Sequence, residues 1–212
     1  MAASTHFAAT KQRPRQGRLP GAVVLGILAL SLWSALPARA EEATLMAAAI
    51  TRDEPGERPG LFVADHYEFK LPQPLIDALH RGIALYFTHE FAVTKTRWYW
   101  LDKPIIESTF TVRLAFNPLT RRYQVAYNGL SLGFDTLEQA LPFIKSLRRW
   151  RVGPNDIITS TSDCEASIRF YLDASKLPKP MQVANHDSVD WTVESDWTTL
   201  SIPPEVVDEQ EH

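Results

Sequence analysis

The chain has 212 residues, of which 45% are hydrophobic and 22% charged, the balance of a globular protein rather than a disordered one. Five of its 22 lysines and arginines and none of its 25 acids fall in residues 1–40, so the other 172 residues carry a net charge of −8. That acidity excludes a basic nucleic-acid binder, and about 170 residues suffice for one domain with its own core.

Residues 1–40 read as a signal peptide. Lys11, Arg13, Arg15 and Arg18 precede the apolar run 21–36, and Pro37-Ala38-Arg39-Ala40 leads into Glu41-Glu42. Basic, apolar and small-x-small segments in that order mark an export signal, with cleavage expected after Ala40. The alternative is an uncleaved inner-membrane anchor facing the periplasm through residues 21–36. A spanning helix needs about 20 apolar residues, which this run falls short of. No cysteine follows the run to accept a lipid, and adjacent twin arginines are absent, so the expected destination is the periplasm by general secretion.

Beyond the leader, residues 41–203 read as a single antiparallel, mainly β domain, a sandwich or partly open barrel with two short helices. Strands are expected at 43–52 and 60–70, separated by the turn-forming loop 53–60. Pro74 at a first-turn position, with Leu75, Ile76 and Leu79 on one face, predicts a helix to His80. Ile83, Leu85, Phe87, His89, Phe91 and Val93 then alternate along a long strand. Phe110, Val112, Leu114 and Phe116 form the apolar row of another. The turn Asn117-Pro118-Leu119-Thr120 returns the chain through Tyr123, Val125 and Tyr127, so 105–128 reads as a hairpin. Asp135 as N-cap, Glu138 at the capping-box position and the stripe Leu137, Ala140, Leu141, Ile144 predict a second helix, kinked late by Pro142. Arg148-Arg149-Trp150-Arg151 reads as the solvated end of that helix. Further strands are expected at 164–173 and 189–202, and residues 204–212 as an acidic flexible tail.

The chemistry-bearing residues form no coherent catalytic set. Cys164, the single cysteine, begins an apolar row with Ala166, Ile168, Phe170 and Leu172, so it reads as a structural thiol, and no intramolecular disulfide is available. Gly129-Leu130-Ser131-Leu132-Gly133 matches G-x-S-x-G, with Asp163 or Asp173 and then His186 downstream, which makes a periplasmic serine hydrolase the alternative function. That chemistry needs a strand-to-helix elbow, whereas Leu130, Leu132 and Phe134 alternate as in a short strand. His89-Glu90 opens like H-E-x-x-H, but Val93 stands where the second zinc-binding histidine belongs. His89 lies between Phe87 and Phe91 and reads as a core histidine. His66, His80 and His186 have no ligand spacing, so neither a metal nor a cofactor is expected. The strongest binding candidate is Arg97-Trp98-Tyr99-Trp100, where rings and a guanidinium could stack on a partner, set against the more ordinary reading of an aromatic core with snorkelling edges.

The leader, Leu71-Pro72-Gln73-Pro74 with its helix, Arg97-Trp98-Tyr99-Trp100, Tyr123 after its turn, Leu177-Pro178-Lys179-Pro180 and Asp196-Trp197 together resemble the proteobacterial exported proteins of domain of unknown function 4390. The resemblance spans about 44–203. It implies a Gram-negative, periplasm-facing protein, makes a link to envelope signalling conceivable, and carries over no catalytic residue. The function expected is a binding or interaction module whose partner is an envelope protein, a peptide or another cell-envelope component.

Overall fold

The computed structural model describes residues 41–53, 60–95, 103–154, 156–158, 163–179, 181–182 and 191–206. Eleven strands appear among them: β1 Glu41–Glu42, β2 Thr44–Asp53, β3 Gly60–Glu68, β4 Leu85–Lys95, β5 Lys103–Asn117, β6 Arg122–Tyr127, β7 Leu130–Phe134, β8 Ser146–Gly153, β9 Cys164–Leu172, β10 Val193–Glu194 and β11 Thr198–Leu200. The helices are α1 Gln73–His80, α2 Leu137–Ala140 and α3 Pro142–Lys145. The strands form two open sheets. The larger has the order β1-β10-β9-β4-β5-β6-β7, with β11 on the same edge of β9 as β10. The smaller is β2-β3-β8. All pairings are antiparallel except β1 with β10.

Period-2 alternation in β4 and β9 puts Leu85, Phe87, His89, Phe91 and Val93 beside Ala166, Ile168, Phe170 and Leu172, all on the inner face of the larger sheet. In β5, Ile106, Val112 and Leu114 extend that face. The smaller sheet covers one end of it: Ile50, Leu61, Val63, Trp150 and Val152 pack on Phe91, Val93, Ile106 and Ile168. It is too narrow to cover the rest. Tyr67, Phe69 and the apolar stripe of α1, Leu75 and Leu79, close the centre against Phe87, Val112, Leu114 and Phe170. Leu137, Ala140 and Ile144 of the two helical turns close the side toward β6. Each fully buried Leu, Phe or Ile contributes about 1.5–3 kcal/mol relative to exposure, so this layered arrangement, a sandwich with helical filling, is what holds the fold.

The turns follow residue chemistry. Asn117 Oδ1 accepts from the N–H groups of Leu119 and Thr120, at 2.9 and 3.3 Å, which closes the β5–β6 turn. Between β6 and β7 only Asn128 and Gly129 intervene, with φ of 45° and 80°. Two successive left-handed residues make the primed turn that fits a twisted hairpin, and Asn-Gly is the pair that tolerates it.

Several expectations shift. The cap of α2 is Thr136, whose Oγ1 accepts from Gln139 N–H, while Gln139 Oε1 takes the Asp135 N–H. The cap therefore sits one residue later than the Asp135 and Glu138 reading places it, and the returning bond of Gln139 reaches the residue before the cap rather than the cap itself. Pro142 lacks the N–H that would continue the ladder, so the expected helix becomes two single turns. Arg148-Arg149-Trp150-Arg151 is not a helix end but the middle of β8. A register shift between the Val63–Trp150 and Asp65–Leu147 pairs leaves Arg148 and Arg149 both exposed beside a buried Trp150. The 189–202 segment resolves into two short strands rather than one. Finally, Val206, placed in the frayed tail by sequence, is wholly buried in a 3-10 turn, Pro204–Val206.

Candidate functional site

Two polar constellations stand out, one inside the sandwich and one on its surface. Inside, β4 brings His89 to the inner face of the larger sheet and β3 brings Asp65 to the facing surface. Both are buried, at 0% and 4% exposure. His89 Nδ1 lies 2.8 Å from Asp65 Oδ2, and Nε2 lies 3.0 Å from the carbonyl oxygen of Ile144. Asp65 Oδ1 accepts from Leu147 N–H at 3.0 Å, and Ser146 Oγ donates to the Asp65 carbonyl at 3.0 Å. Both atoms that face the imidazole are acceptors. The pair must therefore hold two protons among Nδ1, Nε2 and the carboxyl, one for each of its two hydrogen bonds.

Among the described residues this histidine–carboxylate pair meets no nucleophile: Nε2 is spent on a backbone carbonyl, and Phe170 and Tyr67 close over the ring at centroid distances of 4.9 and 5.9 Å. Its chemical capacity is to tie both sheets to the α3–β8 corner. Tyr67 beside it has a hydroxyl that lies toward Ser195 without closing a hydrogen bond. Burial, reinforced by the Asp65 charge, pushes that phenol well above the usual tyrosine range.

The surface constellation lies on the outer face of the larger sheet, formed by the residues that alternate with the core rows. Arg169 of β9 sits beside Glu90 of β4, with Nε at 2.9 Å and Nη2 at 2.7 Å from Oε2. The guanidinium carbon lies 4.8 Å from the Tyr171 ring centroid and 4.7 Å from that of Trp197, which is 44% exposed. Along the same face, Lys176 Nζ lies 3.2 Å from Asp173 Oδ2, 3.4 Å from Thr111 Oγ1 and 5.7 Å from the Tyr86 ring centroid. Burial works against ionisation of Asp173, but hydrogen bonds from Ser175 and Lys176 outweigh it and hold the carboxyl below its ordinary range. Burial also raises the Tyr171 phenol, helped by Glu90. The result is a sheet face carrying three aromatic rings, with its main cations already matched to carboxylates.

The sequence-derived candidates are distributed as follows. Arg97, Trp98, Tyr99 and Trp100 lie outside the described residues, in the connection between β4 and β5. Ser131 is exposed in the middle of β7, opposite Ala126, with Gly129 in the hairpin turn and α2 starting six residues after Ser131. No strand-to-helix elbow exists there. His186 lies outside the described residues, and Asp173 is occupied with Ser175 and Lys176. His80 shares a 2.7 Å hydrogen bond with Tyr123 at the end of α1. Cys164 is half-buried and its thiol is pushed up by burial, the opposite of an activated nucleophile. Among the described residues no group of three His, Cys, Asp or Glu side chains is placed to hold a metal ion.

Asp65 and Arg169 were not singled out by sequence, and Glu90 only within the rejected His89-Glu90 motif. A signal for Asp65 was present: a carboxylate in the apolar row Leu61, Val63, Tyr67 and an imidazole in the row Phe87, Phe91 each ask for a buried partner. No curated protein and no solved structure matches the chain. A family model does match, over residues 40–201, essentially the segment that forms the two sheets. The chain therefore belongs to the family described as domain of unknown function DUF4390.

Proposed function

We propose that this chain is an exported, periplasm-facing binding or interaction module of a Gram-negative envelope, with the outer face of the larger sheet as its recognition surface. The observation that carries this reading is Arg169, held by Glu90 between Tyr171 and Trp197 on a part-exposed face. Ordered guanidinium and aromatic groups of this kind act as anchors because they bury large area at little entropic cost. Strands β4 and β5 continue the face toward the connection bearing Arg97, Trp98, Tyr99 and Trp100, whose composition suits the same use. The partner proposed is an envelope protein, peptide or other cell-envelope component, and the family resemblance adds a connection to envelope signalling.

The test is recovery of partners from envelope extract by the purified protein, comparing wild type with Trp197→Ala and with Arg97→Ala/Tyr99→Ala. Loss of the same partner in both variants supports one continuous surface. Unchanged recovery in both removes this surface from consideration. The hydrolase alternative has its own readout: labelling of Ser131 by a fluorophosphonate probe, which the strand geometry at Ser131 argues against.

A further inference from the structure

The larger sheet ends at β7, and among the described residues no strand pairs with the outer edge of β7. Natural edges are commonly protected by charge, proline or a covering element. Residues Leu130-Ser131-Leu132-Gly133-Phe134 contain neither a charge nor a proline. Leu130 is 58% exposed, and Phe143, whose ring packs 4.8 Å from that of Phe134, is 41% exposed.

The hydrogen-bonding direction of each residue follows from the turn. With Asn128 and Gly129 alone between the strands, Tyr127 and Leu130 are the closing hydrogen-bonded pair. Leu132 and Phe134, opposite Val125 and Tyr123, therefore also direct their backbone groups to β6. Ser131 and Gly133 direct theirs to the open edge, where the Gly133 carbonyl already accepts from Arg122 Nη2 at 3.4 Å and keeps a second lone pair for a partner strand. The next outward donor, Asp135 N–H, is already taken by Gln139 Oε1 at 3.3 Å, so the free ladder stops there.

We infer that β7 is a homodimer edge, pairing antiparallel with β7 of a second copy about a two-fold axis through Leu132. In that register Ser131 N–H and C=O meet Gly133 C=O and N–H of the second copy, and the axis repeats the pair. Leu132 faces Leu132 on the side continuous with the core, and Leu130 of each copy lies against Phe134 of the other. On the outer side a hydroxymethyl group faces Gly133, over which the exposed Arg122 guanidinium lies 3.6 Å from where a Cβ would stand, so that side chain turns aside on pairing. Asp135, which pairs with Arg122 at 2.9 Å, falls opposite Gly129 of the second copy, so no like charges meet. The pattern apolar–small–apolar–small–apolar is thus its own complement, and this selects a second copy over another extended chain. Five residues make a small interface, so association is weak and concentration-dependent.

The experiment is sedimentation velocity on the full chain as its host delivers it, over a concentration series. Wild type is expected to shift from monomer to dimer. Ser131→Pro removes an outward donor while leaving the β6–β7 ladder, and Leu130→Lys charges an already exposed position. Each should raise the dimer dissociation constant by about tenfold or more. Circular dichroism and melting of each variant report whether the monomer is still folded. A wild type that stays monomeric throughout overturns the inference, as does a dimer that survives both substitutions in folded protein, or an edge that instead captures an unrelated extended peptide.

Discussion

At the residue scale, the most consequential arrangement is the buried Asp65–His89 pair. Taking two ionisable side chains out of water is costly, and the geometry offsets that cost only because each partner atom is matched, including Leu147 N–H on the second carboxylate oxygen. Asp65→Ala should therefore cost about 3–5 kcal/mol, since it leaves an imidazole facing a void and an unpaired Leu147 N–H. Urea unfolding checks this, and a loss under about 1 kcal/mol would contradict it. Tyr67 predicts the contrary behaviour in the same neighbourhood. Its buried hydroxyl has no hydrogen-bond partner among the described residues, so Tyr67→Phe deletes an unsatisfied group and should leave stability within about 1 kcal/mol of wild type. Cys164, with a thiol raised by burial, should react with iodoacetamide far more slowly in the folded than in the urea-unfolded chain at neutral pH. These side chains also show why the sites were only partly legible in sequence. His89 was recognisable as a core histidine from its apolar neighbours, but its partner lies 24 residues away. Arg169 and Glu90 are separated by 79 residues, and only the strand register brings them together.

At the element scale, legibility followed periodicity. The β5–β6 hairpin was readable because its apolar rows alternate without interruption and Asn117 supplies the turn. Strand β8 was not, because a register shift places Arg148 and Arg149 on the exposed side consecutively, which imitates a helix end. The strand assignment makes a sharp distinction within that run. Trp150→Ala should cost about 3–5 kcal/mol, because the indole packs among Phe91, Phe110 and the smaller sheet, whereas Arg148→Ala should stay within about 0.5 kcal/mol. The α3–β3 contact adds a pH dependence. Glu68 is held below its ordinary carboxylate value, first by the hydrogen bond from Lys145 and then by the charge of that ammonium group. A carboxyl depressed in the folded state contributes stability above its unfolded value and loses that contribution as pH falls through the folded value. Glu68 is well exposed, so the effect is small. The urea midpoints of wild type and Lys145→Met should differ slightly at neutral pH and converge in acid, once Glu68 is protonated in the folded state. A difference that persists undiminished in acid would assign the effect to Lys145 packing over the Phe69 ring instead.

At the scale of the whole molecule, the two sheets differ in width, and the first and last described segments supply much of what joins them. The first described residues enter β1, where Glu41 and Glu42 pair in parallel with Val193 and Glu194. Ala43 then donates its N–H to the Glu194 carbonyl at 2.8 Å, is 2% exposed, and leads directly into β2 of the other sheet. Val206, near the other end, is buried in the same cluster as Ile50 of β2. This crossing constrains how the proposed leader can be removed. Cleavage after Ala40 leaves the complete β1 strand and the buried Ala43. Cleavage three or more residues later would delete the Ala43 hydrogen bond and the link between the sheets, so an intact domain requires a boundary upstream of Ala43, a condition that cleavage after Ala40 meets. Mass spectrometry of the protein isolated from its native envelope should therefore find Glu41 as the first residue. A mature chain starting at Thr44 or beyond would break this reasoning, because it would show that the parallel β1–β10 pair and the buried Ala43 are dispensable. Retention of Met1 in a membrane-bound form would leave the sandwich intact and select the anchored alternative.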